Sequence, residues 1–427
     1  MQVRVVGRPD PSFGLVDGEL MPDSSLRPGA DVPAHGVGTL ASARRDGDDW
    51  RIARDPLGLN KLFWARDAPG SIVLAPRPHL LRAEGLSFDA VHAVPRGAVI
   101  DIGPDGVRHT LMTVPPHQED AGRPLDEIAA DIRFALDGYL AAVASAAPDA
   151  TAVVCCSGGL DSSGILALAN RHFGRVLGVS FDFRRPDARP SEDRVIARRL
   201  CDDLGVELLE TDVDRSGLLE HLDVVLLEGA DWRDFNVHAA LVNAVLAESI
   251  AGAAGASPLV LTGDLANEFL ADYHEERYRG ETYYRLPRLG PSALRRWLVA
   301  GLDSTHRELG VFGAWGLPVV QPYAAATQHY LSLPGSFLAR DDAKQQLCRE
   351  VFRDLLPGYV LTRQKTRAQV GDPDIGGGVL AACIDQGIDQ ASLRHRFAEL
   401  HKLDRLADLD HFIRAGRYRS AVPEENA

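Results

Sequence analysis

The sequence predicts an α/β protein: a parallel sheet with helices on both faces, preceded by a smaller β-rich part. Three observations carry this. From residue 152 onward, short apolar runs alternate with helical patterns, as parallel strands joined by crossover helices require. Before about residue 115, short strand-like runs are separated by Gly, Pro and Asp turns, and helical periodicity is weak. Between the two, 110–124 (LMTVPPHQEDAGRPL) carries the turn formers of a linker. The expected division is therefore 1–115 and 125–427.

In the first part, 50–53, 62–65, 71–75 and 98–102 read as strands of an antiparallel domain. Ile128, Ile132, Leu136 and Leu140, spaced by four, predict a helix that begins at Leu125. Then 152–156 reads as a buried strand, 161–170 as a helix, 176–181 as a strand and 192–204 as a helix. Residues 206–209 form a third strand, 235–251 a long helix and 259–261 a fourth strand. The remainder from about 290 is mostly helical, with breaks at Pro318, Pro322, Pro334 and Pro357.

Composition narrows the function. The net charge of −14 argues against non-specific nucleic-acid binding, which needs a basic surface. No apolar run reaches transmembrane length, and MQVRVVGRPD has no signal-peptide core, so neither a membrane nor export is expected. The five cysteines include no C-x-x-C pair, which points to neither a zinc site nor a disulfide framework. A reducing cytoplasm is the expected location. A symmetric homodimer is the default oligomer.

The chemistry concentrates at VVCCSGGLDSSGILALA. A buried strand runs into Ser157-Gly158-Gly159, and a helix starts at about Asp161. Two glycines let the backbone bend and approach an anion closely, and free N–H groups at the helix start point at it. Ser157, Ser162 and Ser163 add hydroxyls, and Asp161 among phosphate-binding groups suits Mg²⁺. The lysine of a Walker A loop is missing. A capped strand–turn–helix joint without a ligand is the bland alternative.

This loop resembles the pyrophosphate loop of the N-type ATP pyrophosphatases, which include GMP, NAD and asparagine synthetases. In that family a carboxylate attacks the α phosphorus of ATP, an acyl-adenylate forms and pyrophosphate leaves. Four further segments resemble the asparagine synthetase branch. Arg54-Asp55-Pro56-Leu57-Gly58 with Lys61-Leu62-Phe63-Trp64 is similar to a segment of its N-terminal glutaminase domain. Leu261-Thr262-Gly263-Asp264-Leu265-Ala266-Asn267-Glu268 is similar to L-S-G-E-G-x-D-E. Gln321-Pro322-Tyr323 with Leu331-Ser332-Leu333-Pro334, and Arg363-Gln364-Lys365, follow in the family's order.

The resemblance implies roles. Ser157, Gly158, Gly159, Asp161, Ser162 and Ser163 would hold the β and γ phosphates of ATP and Mg²⁺. Cys156, Val179, Thr262 and Gly263 would line the adenine and ribose. Lys365 would neutralise the phosphates in the adenylation transition state; on spacing alone it is a solvated lysine. Asn267 stands where the family has a metal-binding aspartate, so Asp264 and Glu268 are candidate replacements. Asp264 could instead accept the amine proton, and both acids could simply favour a helix start.

The family's glutaminase needs an N-terminal cysteine, whereas the first cysteine here is Cys155. Residues 1–115 are thus expected to be a reduced, inactive glutaminase-like domain. Members without that cysteine include β-lactam synthetases and lasso-peptide macrolactam synthetases, in which an amine of the substrate attacks the activated acyl group. The expectation is an ATP-dependent amide-forming ligase that takes a small-molecule or peptide carboxylate and an amine, in natural-product biosynthesis. An ammonia-dependent asparagine synthetase and a non-catalytic homologue are the alternatives. His274 is a possible base. Residues 281–300, rich in aromatics and arginine, could line a carboxylate pocket or form an amphipathic helix. Residues 372–378 could close over the site.

Overall fold

The N-terminal part is built from short strands, in a computed structural model that describes residues 2–7, 13–16, 19–22, 36–67, 70–113, 118–184, 189–253, 255, 257–304, 306–363, 371, 377–403, 405–407 and 409. Strand β1 (Val3–Val5) starts a mixed sheet. The antiparallel strands β2 (Phe13–Val16), β3 (Glu19–Pro22) and β4 (Gly36–Thr39) make a second sheet, in the order β3-β2-β4. A third sheet contains the hairpin of β5 (Ala41–Asp46) and β6 (Asp49–Arg54), which turns at Gly47. Strands β7 (Phe63–Arg66), β8 (Ile72–Ala75) and β9 (His92–Ala93) complete the mixed sheet, ordered β1-β8-β7-β9. Strands β10 (Ala98–Gly103) and β11 (Gly106–Leu111) complete the third, ordered β11-β10-β6-β5. Every residue of β11 is exposed. It lacks the apolar alternation that marks a half-buried strand, so its last two residues read as linker.

The segment after β6 is folded on buried charge. Arg54 donates to the carbonyls of Asn60 (2.9 Å), Val94 (2.5 Å) and Gly58 (2.9 Å), and pairs with Asp303 at 2.5 Å. The Asp55 carboxylate accepts the N–H groups of Leu59 (2.9 Å) and Asn60 (3.0 Å). Lys61 donates from Nζ to the carbonyls of Gly58, Leu59 and Leu302 at 2.8, 3.1 and 3.0 Å. The last of these, with the Arg54–Asp303 pair, ties the N-terminal part to the α/β part.

The α/β part opens with the helix Leu125–Ala146, whose Ile128, Ile132, Leu136 and Leu140 are buried as their spacing requires. Its sheet consists of β12 (Thr151–Cys155), β13 (Arg175–Phe183), β14 (Glu207–Val213), β15 (Pro258–Leu261) and, after the small antiparallel hairpin β16 (Glu276–Tyr278)–β17 (Glu281–Tyr283), β18 (Val319–Val320). The order is β14-β13-β12-β15-β18, and all pairs are parallel. Helices Leu160–His172, Glu192–Leu204 and Asp234–Ala253 connect the strands. Asp234–Ala253 is apolar and long enough to cross a membrane, but Leu241, Ala244, Val245 and Ile250 are buried in the core.

From β12 the chain steps to β13 and β14 on one side, and later returns to β15 and β18 on the other. The connections therefore diverge between β12 and β15. In open parallel sheets this point leaves a crevice beyond the carboxyl ends of the strands, where ligands bind.

Candidate active site

A cavity of about 660 Å³ fills that crevice. Its floor is the loop after β12. Gly158 has φ +65°, and a Cβ there would lie 2.9 Å from the carbonyl oxygen of Asp193 and from the Ile196 side chain, so only glycine fits. A Cβ on Gly263 would approach the backbone N of Ser162 to 3.0 Å, which lets the loop after β15 lie directly on the first loop. The Ser157 N–H donates to Ser162 Oγ (3.2 Å), and the two hydroxyls are 3.1 Å apart. Arg363, which also lines the cavity, clamps this floor: it donates to the Gly158 carbonyl at 3.1 Å and pairs with Asp193. The 13-residue helix Leu160–His172 then begins with its N–H groups directed at the cavity.

Asp161 is the centre of a charge cluster. Its Oδ2 lies 2.6 Å from Lys344 Nζ; that ammonium also donates to Asn267 Oδ1 and lies 3.3 Å from Asp272. Burial opposes the charge on Lys344, but Asp161 and Asp272 outweigh it and hold the ammonium protonated. Tyr323 Oη donates to the Asp161 carbonyl at 3.1 Å. Asp161 from the first loop, and Asn267 and Asp272 from the short helix Ala266–Leu270 and the turn that ends it, thus converge on one cation-sized point.

Of the residues singled out in the sequence, Cys156, Ser157, Gly158, Gly159, Asp161, Ser162, Val179, Thr262, Gly263, Asp264 and Asn267 line this cavity. Two do not. Ser163 is fully buried beneath the helix start, and the structure gives its hydroxyl no partner. Glu268 turns away from Asp161: its Oε1 accepts from Tyr273 Oη (2.6 Å) and Arg307 (3.0 Å). Lys365 and residues 372–376 lie outside the described residues. His274 is 73% exposed and lies 3.5 Å from Asp272. Lys344, Arg307, Glu308 and Asp272 had no local signal in the sequence.

A second chamber of about 670 Å³ adjoins the first, and both are lined by Phe235, Tyr273, His274, Arg307 and Glu308. Arg307 is nearly buried; it pairs with Glu308 and Glu268 and lies 3.7 Å from Asp264. Asp264 reaches into the cavity with 32% of its side chain exposed. Enclosure by the walls and the like charge of Glu308 outweigh Arg307, and its pKa rises to about 7. The 281–300 segment divides between two roles. Tyr283, Tyr284, Arg285, Leu286, Trp297 and Leu298 line the second chamber. Arg295 is buried and donates to the carbonyls of Tyr330 (3.0 Å) and Leu333 (2.9 Å).

The family model described as asparagine synthase matches residues 140–313, which include the sheet as far as β15 and both loops at Asp161 and Asp264. A search of curated proteins finds no match. Among solved structures, the chain is similar to an NMN synthetase from Francisella tularensis: 11% identity, 71% of this chain and 99% of that one covered, TM-score 0.31. An NH3-dependent NAD synthetase from Campylobacter jejuni subsp. jejuni overlaps at 11% identity, over 67% of this chain and 97% of the other, with TM-score 0.30. Overlaps this loose carry no functional argument.

Proposed function

We propose that this chain is an ATP-dependent amide-forming ligase that adenylates a carboxylate with loss of pyrophosphate and then releases AMP on acyl transfer. The observation that carries it is the juxtaposition of a phosphate-shaped floor, a cation cluster and a carboxylate poised near neutrality. The loop Ser157–Gly159 and the following helix start supply N–H and hydroxyl donors for the β and γ phosphates. Val179, Phe181, Val242 and Leu246 make an apolar wall suited to the adenine. Lys344 puts its charge where pyrophosphate would leave, an interaction that strengthens as the α–β bridging bond breaks. We assign the same task to Lys365.

Mg²⁺ fits the chemistry of Asp161, Asn267 and Asp272, all hard oxygen donors that already converge on an ammonium. Among the described residues no group of three or more His, Cys, Asp or Glu could hold a metal, so the phosphates would complete the coordination. Bound Mg²⁺ would screen the phosphate charge. Glu268 is better placed as part of the acceptor chamber.

The second step is acyl transfer. The amine nitrogen attacks the acyl carbon, the bond to the AMP oxygen breaks, and the amine's proton passes to Asp264. A carboxylate with a pKa of about 7 suits a base at neutral pH. We read the N-terminal part as a reduced glutaminase-like domain that hydrolyses no glutamine. Burial raises the Cys155, Cys348 and Cys383 thiols, and a hydrogen bond with Cys156 together with burial raises Cys201, so none of these four is an activated nucleophile. With this reading we propose a role in natural-product biosynthesis; a cytoplasmic location, from the cysteine usage, and a homodimer, as the default oligomer, are proposed separately.

The test is to incubate the protein with ATP and a panel of amino acids and short carboxylic acids, and to follow the nucleotide products by chromatography. Carboxylate-dependent AMP with equimolar pyrophosphate is expected. ADP as product, or no binding of ATP by calorimetry, refutes the reading. Aspartate with ammonium belongs in the panel, because asparagine as the product would assign the simpler reaction.

A further inference from the structure

We infer that the second chamber binds an organic amine with an aromatic or bulky apolar body, its ammonium seated against Glu268 and Glu308; this rests on the amide-forming reading only for the amine's fate.

The size comes first. The chamber of about 670 Å³ lies in the range of pockets for drug-sized molecules, far above what ammonia needs. Its walls are Trp232, Phe235, Tyr273, Tyr283, Tyr284 and Trp297. Phe235 meets Tyr273 and Tyr284 edge-on, with ring centroids 4.8 and 5.6 Å apart, so three of the six aromatic walls are packed on one another. Leu59 of the N-terminal part closes one side, held there by the Asp55 and Lys61 hydrogen bonds.

The polar end then sets the sign of charge. Glu268 is 96% enclosed (4% exposed), and its Oε2 has no hydrogen-bond partner. Gln321, 2% exposed, donates to Glu308 at 3.4 Å, yet its own Oε1 accepts nothing. A buried acceptor without a donor is costly, and here both belong to residues that line the chamber. What is missing is a donor, and an ammonium supplies three. Glu268 and Glu308 pair with the guanidinium of Arg307, and Glu308 also feels the more distant Lys61; with Asp264 nearby, acids still outnumber cations at this end. A substrate carboxylate held here would add to the excess of negative charge. The rest of the lining carries both signs, Arg233, Arg285 and Arg394 against Asp234, Glu281 and Asp389, and sets no preference. The amine end also lies on the shared wall, beside Asp264; for acyl transfer the ammonium first gives one proton to solvent, which frees its lone pair, and Asp264 takes the second as the amide forms. Aromatic walls add cation–π attraction for such a group.

The test uses 2-phenylethylamine as the probe, without ATP, by calorimetry at pH 7.5. Saturable binding is expected, with 3-phenylpropionate, 2-phenylethanol and ammonium chloride each at least about tenfold weaker, a difference of roughly 1.4 kcal/mol. Glu268→Gln should weaken phenylethylamine by about tenfold or more, as loss of a charged partner does. Because Glu268 also pairs with Arg307, Trp297→Ala on the half-buried wall is the second variant, and it should weaken the probe while circular dichroism is unchanged. No binding of phenylethylamine, tighter binding of phenylpropionate, or indifference to both substitutions overturns the proposal. None of these outcomes alters whether AMP forms from ATP, so this inference can fail while the ligase reading stands.

Discussion

Lys344 holds together three oxygens from two segments, so its removal unmakes more than one contact. Lys344→Ala leaves Asp161 and Asp272 facing each other without a cation. ATP affinity should fall at least about tenfold and adenylation by about 10²–10³, as when a transition-state donor is removed; calorimetry and AMP formation measure the two. Asp264 gives a prediction in pH. Its folded pKa of about 7 lies above the ordinary 3.8. The folded state therefore disfavours the carboxylate, and that penalty grows as pH rises from about 4 to about 7. Asp264→Asn should raise the melting temperature at pH 8 and leave it nearly unchanged at pH 4. The same substitution should abolish the rise of turnover with pH near 7. At this scale, legibility followed locality. Ser157 to Ser162 sit in one continuous strand–loop–helix and could be read directly. Lys344, Arg307 and Glu308 reach the site only through tertiary folding, and each looks like an ordinary surface charge in the sequence.

Gly158 is where the element scale decides function. The positive φ and the 2.9 Å approach to Asp193 mean that Gly158→Ala must bend the loop or displace the helix Glu192–Leu204. A cost of about 1–2 kcal/mol is expected for the left-handed backbone alone, with loss of ATP binding in calorimetry. Gly164→Ala makes a contrasting case: its Cβ would fall 2.3 Å from the Phe352 ring. Overpacking of about 1–3 kcal/mol should appear in chemical denaturation, while the loop geometry is spared. The parallel strands were readable because they are short, apolar and bounded by helices. Strands 176–181 and 206–209 prove longer, Arg175–Phe183 and Glu207–Val213, since their ends alternate with charge. β18 is only two residues and follows a proline, so no period could mark it. Among the N-terminal elements, β2, β3 and β4 are four residues each, and Gly14, Gly36 and Gly38 interrupt β2 and β4, so no period of two stands out.

The whole molecule depends on the joint between its two parts. Lys61 is buried, and burial with the nearby Arg54 pushes its pKa down to about 7. Its hydrogen bonds to Gly58, Leu59 and Leu302 hold it in place regardless. Lys61→Met leaves three carbonyls unmet, which should cost about 2–4 kcal/mol in denaturant unfolding. If the chamber is where the amine binds, the same variant should raise KM for the amine more than for ATP, because Leu59 lines only the second chamber. The sequence indicated two parts but not that the first contributes a wall to the second part's chamber, since that contact joins Leu59 to residues far down the chain.

The wall shared by the two cavities has a consequence for kinetics. Nucleotide and amine would occupy adjoining cavities whose linings have Phe235, Tyr273, His274, Arg307 and Glu308 in common. Filling one would then leave the other open. Pyrophosphate should compete with ATP yet be non-competitive towards the amine, while the amide product should show the reverse pattern.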